Sequence, residues 1–142
     1  RDDKTYRSIT KNWFENSYLL QIVKKAQEEG MKVLLTTDHG TIFVRKPSQV
    51  VGDRETSTNI RYKMGRKLVY DEDDVFVIDK AEDFHLPRVN VSSKYIFAKE
   101  DIFLAFPKNY NHYVNYYKET YQHGGISMEE MIIPFVTLSP KN

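Results

Sequence analysis

Val33-Leu34-Leu35-Thr36-Thr37-Asp38-His39-Gly40 is the stretch on which the fold turns. Its opening run lacks polar alternation and reads as a short strand covered on both faces, as in a parallel sheet flanked by helices. Upstream, Leu19, Ile22, Val23 and Ala26 recur at helical spacing within residues 12–29, with Trp13 and Phe14 near the start and Gly30 placed to end the helix. Helix, glycine, buried strand and polar loop make up the repeating unit of a doubly wound α/β fold, whose ligand sites lie at the carboxyl ends of strands. Asp38 and His39 stand at such an end. A carboxylate and an imidazole there, with Gly40 to let the backbone turn, suit a metal such as zinc, which accepts both oxygen and nitrogen.

A second histidine motif, His123-Gly124-Gly125, lies far downstream. By itself it is equally a turn that needs positive φ. Ser127-Met128-Glu129-Glu130 follows with the capping-box pattern, so a helix is expected to start there, and Pro134 holds it to a turn or so before a terminal strand. Between the two motifs the chain reads as β-rich. Residues 41–46 form a strand that Pro47 should stop, Ile60, Tyr62 and Met64 alternate, and Val75 to Ile78 is a further strand. Tyr95-Ile96-Phe97-Ala98 and Ile102-Phe103-Leu104-Ala105-Phe106, joined by Lys99-Glu100-Asp101, read as a hairpin.

Composition excludes several classes. The 142 residues carry a net charge of +1, with 40% hydrophobic and 29% charged residues, which describes an ordinary globular chain and makes no electrostatic case for bulk nucleic-acid binding. There is no cysteine, so disulfides, thiolate zinc sites and cysteine nucleophiles are all ruled out. No apolar run approaches the roughly 18–20 residues of a spanning helix. The expected setting is the cytoplasm, without membrane contact. The chain opens on Arg1 rather than Met, as a piece of a longer protein would.

Leu34-Leu35-Thr36-Thr37-Asp38-His39-Gly40 together with Tyr121-Gln122-His123-Gly124-Gly125 through Glu130 to Pro134 resembles the PglZ domain, a branch of the alkaline phosphatase superfamily. More narrowly, the chain is similar to the C-terminal end of PorX-type two-component response regulators of type IX secretion, where a receiver domain precedes the PglZ domain. The resemblance implies an alkaline-phosphatase-like sheet flanked by helices, of which this chain is the C-terminal part: residues 1–46 a helix-strand-loop frame, 47–108 a β-rich insertion, 109–142 a terminal helix, the His-Gly-Gly loop and the last strand. It also implies two zinc ions at the carboxyl ends of strands, Asp38 and His39 on one and His123 on the other. These ions would serve phosphoryl transfer on a phosphodiester or nucleotide. Partners implied are the receiver domain, a cognate histidine kinase and a second copy in a homodimer.

The family also draws a nucleophile, a first metal-binding Asp and a further Asp and His pair from segments before the Asp-His-Gly turn. Upstream of Asp38 the only acidic residues before Glu15 are Asp2 and Asp3, and there is no histidine. The isolated chain is therefore expected to hold part of the ligand set and no catalytic nucleophile, and to be inactive alone. A non-catalytic signalling or dimerisation module on the same frame is the alternative.

Other features have plainer readings beside the functional ones. Arg54, Arg61 and Arg66, with Lys63 and Lys67, can grip phosphates through guanidinium forks or form a solvated strand face. Tyr110, Tyr113, Tyr117 and Tyr121 fall on one helix face, where they can stack nucleobases but more often bury against a core. Asp71-Glu72-Asp73-Asp74 reads as a solvated turn, and His85 and His112 as ordinary surface or packing residues.

Overall fold

The structure is a computed structural model that describes residues 3–88 and 90–140. It is a mixed α/β arrangement of helices and small sheets, and it divides into two compact units that are described separately: Arg1–Asp38 with Ile133–Asn142, and His39–Ile132.

In the first unit, α1 (Asp3–Glu15) and α2 (Tyr18–Glu28) replace the single helix expected over residues 12–29. The break is local chemistry. Asn16 Nδ2 donates to Asn12 O at 2.8 Å and Ser17 Oγ to Phe14 O at 2.8 Å, so both side chains compete for the last carbonyls of α1. Gly30 ends α2 as expected, at φ +69°, with its N–H on Gln27 O and that of Met31 on Ala26 O, the paired bonds of a Schellman ending.

β1 (Val33–Thr36) pairs antiparallel with β9 (Phe135–Leu138), in register from Val33↔Leu138 to Thr36↔Phe135. Thr36 Oγ1 donates to Pro134 O at 2.8 Å and closes the open end of the pair. The expectation of a strand buried in a parallel sheet is corrected here: Leu34 is 54% and Leu35 43% exposed. An unbroken apolar run states that both faces are fit for burial; it does not supply the neighbours.

The second unit contains β2 (Ile42–Val44), β3 (Lys46–Gln49), β4 (Tyr62–Gly65), β5 (Val75–Ile78), β6 (Lys94–Ala98), β7 (Ile102–Ala105), α3 (Tyr110–Tyr117), β8 (Thr120–Gln122) and α4 (Met128–Met131). β2 pairs antiparallel with β8, β3 parallel with β7, and β4, β6 and β5 form an antiparallel sheet with β6 in the centre. β6 and β7 are strands as expected but not a hairpin with each other. Ile96 and Ala98 face one core with Val50, Ile102 and Leu104, while Tyr95 and Phe97 on the opposite face of β6 meet Ile78 and Ala81. Phe103 leaves β7 on the other side to join Ile42 and Val44. Burial on both faces suits each strand to a different sheet. Fully burying a side chain such as Ile96, Phe103 or Leu104 stabilises by roughly 1.5–3 kcal/mol.

Pro47 does not stop the strand there; it sits inside β3 opposite Phe103. Lys46 N–H reaches Asp101 O and Val50 N–H reaches Ala105 O, so position 47 lies between donating positions, and its missing N–H costs the ladder nothing. The tyrosine stripe is shorter than expected. α3 carries Tyr110, Tyr113 and Tyr117, with Tyr117 packed against the Ile42, Val44 and Phe103 core, whereas Tyr121 belongs to β8. The acidic run 71–74 forms the turn before β5, as read. Among the described residues no helix is long and apolar enough to cross a membrane.

Candidate functional site

Two loops meet at one end of the β2–β8 pair. The register Ile42↔Gln122 brings the residues before β2 beside those after β8, and the rings of His39 and His123 stack with centroids 3.8 Å apart and planes 13° apart. His39 Nδ1 lies 2.8 Å from Gly40 O. A carbonyl can only accept, so Nδ1 carries the proton and the basic lone pair of the ring is on Nε2, the arrangement that orients a metal-binding histidine.

Glu130 holds both loops. Its main-chain O accepts from Gly40 N–H at 2.9 Å, its Oε1 accepts from Gly125 N–H at 2.9 Å, and its Oε2 accepts from Ser127 N–H at 3.3 Å, the reach-back half of the capping box. Arg61 then binds the same carboxylate through Nε and Nη2, each at 3.0 Å. Both side chains are buried. Burial would push the Glu130 carboxyl up, but Arg61, the Gly125 N–H and the Ser127 side chain outweigh it and hold the group below its ordinary value.

The glycines are dictated by this crowding. A Cβ on Gly40 would overlap the carbonyl oxygen of Glu129, and Gly124 adopts φ +102° with the Asn59 side chain against it. Gly40→Ala is therefore expected to lower stability by about 1–3 kcal/mol. Thermal unfolding checks it, and an unchanged midpoint would mean that the Gly40 turn is looser than the structure has it.

Of the three expected metal ligands, the structure brings His39 and His123 together within the second unit. Asp38 ends the first unit, 3.3 Å from the Thr37 hydroxyl. Among the described residues no group of three or more His, Asp or Glu side chains is placed to hold an ion. The two imidazoles fit zinc by donor type, but tight sites use three or four protein ligands, so the described residues fall short by number.

The expected phosphate-gripping arginines separate. Arg61 is corrected outright: it is 0% exposed and its guanidinium is committed to Glu130, Ile102 O and Ala98 O, so it holds the fold rather than a phosphate. Arg66 is paired with Glu55 at 2.7 Å. Arg54 is exposed on the wall of a cleft of about 700 Å³ that also contains Asp53, Thr58, Phe106 and Lys108. Sequence reasoning missed the wider role of Glu130, whose only signal was its place in the capping box, and the burial of Lys63.

Residues 2–138 match the family model of the BREX system PglZ alkaline phosphatase-like domain. No curated protein matches the chain.

Proposed function

The chain belongs to the PglZ family of alkaline phosphatase-like domains, and from that premise we propose that it supplies Asp38, His39 and His123 to a divalent-metal centre of a phosphoester hydrolase. In this reading Asp38 and His39 serve one zinc ion and His123 the other, and groups outside these 142 residues supply the remaining ligands and the nucleophile. The observation that carries the reading is the His39 and His123 pair, brought together at the end of β2 and β8 with Nδ1 of His39 tied to Gly40 O. A metal pair, when bound, stabilises the entering and leaving oxygens of an in-line displacement. The residues of this chain do the positioning. Glu130 fixes both loops, and the Gly40 bond sets the tautomer of His39.

The substrate class in this proposal is a phosphodiester, of nucleotide or oligonucleotide type, and the setting is a PorX-type response regulator with a receiver domain, a cognate histidine kinase and a homodimer. The two motifs on which that resemblance stands support it. A second reading, a signalling or dimerisation module without catalysis, draws on the short ligand count among the described residues.

Zinc titration and elemental analysis separate the two. A protein extended to the whole parent domain is expected to bind about two zinc ions and to lose one with His39→Ala, while the 142 residues alone bind weakly. If neither binds zinc at micromolar concentration, Asp38, His39 and His123 are structural and the module reading stands.

A further inference from the structure

Lys63 of β4 is 1% exposed. Its Nζ donates to Thr58 O at 3.2 Å and lies 4.1 Å from the centroid of the Phe106 ring. The neighbouring cations are paired, Arg61 with Glu130 and Arg66 with Glu55, but among the described residues no carboxylate is paired with Lys63. One carbonyl and one ring face are little compensation for an ammonium taken out of water, which has three donors to satisfy. An apolar side chain of similar length would fill the same space without that penalty.

The surroundings give the ammonium something to do. Lys63 lines a recess of about 170 Å³ with Thr58, Ile60, Phe106, Tyr113 and Tyr117. Thr58, Phe106 and Tyr113 are shared with the cleft of about 700 Å³ in which Arg54 and Lys108 stand. That cleft is within the size range of small-molecule sites, roughly 300–1,000 Å³. Aromatic walls, a buried cation at the inner end and two further cations along the cleft are complementary to a flat ring that carries negative charge.

We propose that the recess and cleft bind a small ligand composed of a flat ring and an oxyanion, phosphate or carboxylate, with the oxyanion on Lys63 and the ring against Phe106 and Tyr113. The site uses none of Asp38, His39 and His123 and does not depend on the hydrolase reading. Burial lowers Lys63 to about 8, which leaves it mostly protonated at neutral pH and able to serve as the counter-ion.

Calorimetric titration of the full 142-residue chain, in the presence of a chelator so that no metal-held phosphate contributes, tests the site. The probes are phenyl phosphate, benzoate and inorganic phosphate. Saturable binding of one of the aryl probes is expected, and the stronger of the two identifies the oxyanion. Lys63→Met should weaken it by about tenfold or more. Tyr113→Ala, at an exposed position of α3, should weaken the aryl probes and leave inorganic phosphate unchanged. A lysine that merely holds Thr58 O would move none of these affinities. Equal affinity of the wild type and Lys63→Met overturns the proposal, and so does the absence of saturable binding of both aryl probes at millimolar concentration. If Lys63→Met does not fold, indifference of the aryl probes to Tyr113→Ala overturns it alone.

Discussion

Glu130→Ala is expected to destabilise the chain by about 3–5 kcal/mol, the range for removing one partner of a buried ion pair. The guanidinium of Arg61 would remain 0% exposed with only carbonyl acceptors, Ile102 O and Ala98 O, around it. Gly125 N–H would lose its acceptor at the same time. The cost is thus that of an uncompensated buried charge, and removing the charge as well should recover most of it: Arg61→Met with Glu130→Leu is expected to unfold far later in urea than Glu130→Ala. The carboxyl is held below its ordinary value, so its contribution is complete above the unfolded carboxylate pKa and disappears as the pH falls through the lower folded value. Glu130→Gln keeps the shape and abolishes that acid dependence. Urea unfolding between neutral and acid pH checks both points, and a loss below about 1 kcal/mol in Glu130→Ala would show that water reaches the pair. Because the Glu130 carboxylate also holds Gly125 N–H in the loop that carries His123, the His39 and His123 stack should loosen in Glu130→Ala, visible in their imidazole NMR resonances.

What was legible in the sequence was local. The Gly30 ending, the turn at Asp38-His39-Gly40, the acidic turn before β5 and the capping box all depend on residues within a few positions of each other, and each is present. What was illegible depends on partners distant in the chain. The β1 run signals burial whether its neighbour is a parallel strand or β9, and β6 and β7 look like a hairpin because nothing local says that they serve different sheets. Arg61 and Lys63 alternate with Tyr62 and Met64, so they read as the wet face of a strand. They are in fact the buried face, because Glu130, 69 positions away, meets Arg61 there and the Phe106 ring covers Lys63. The candidate site divides the same way: the motifs named His39 and His123, but their meeting depends on the β2–β8 register and on the main chain of Glu130.

Lys63→Met is expected to stabilise the free chain at pH 7 by about 1–3 kcal/mol, since it replaces a buried, unpaired ammonium by an apolar side chain of similar length. The pH dependence fixes the cause. Burial lowers Lys63 from 10.5 to about 8, so below pH 8 the folded and unfolded chains are both protonated there and the native state bears the whole desolvation cost. Between 8 and 10.5 the unfolded chain binds the extra proton, so the stability contributed by this position rises with pH and levels off above. The advantage of Lys63→Met should therefore shrink across that interval. Tyr95 and Tyr110, raised by burial, and Lys94, raised by its hydrogen bond to Tyr70, titrate in the alkaline range too, so the readout is the difference between variant and wild type in urea unfolding at each pH. If the bond to Thr58 O were the reason for this lysine, the sign would reverse and Lys63→Met would destabilise at pH 7. A gain instead means that the fold carries the ammonium at a loss, as expected of a residue kept for a ligand rather than for packing.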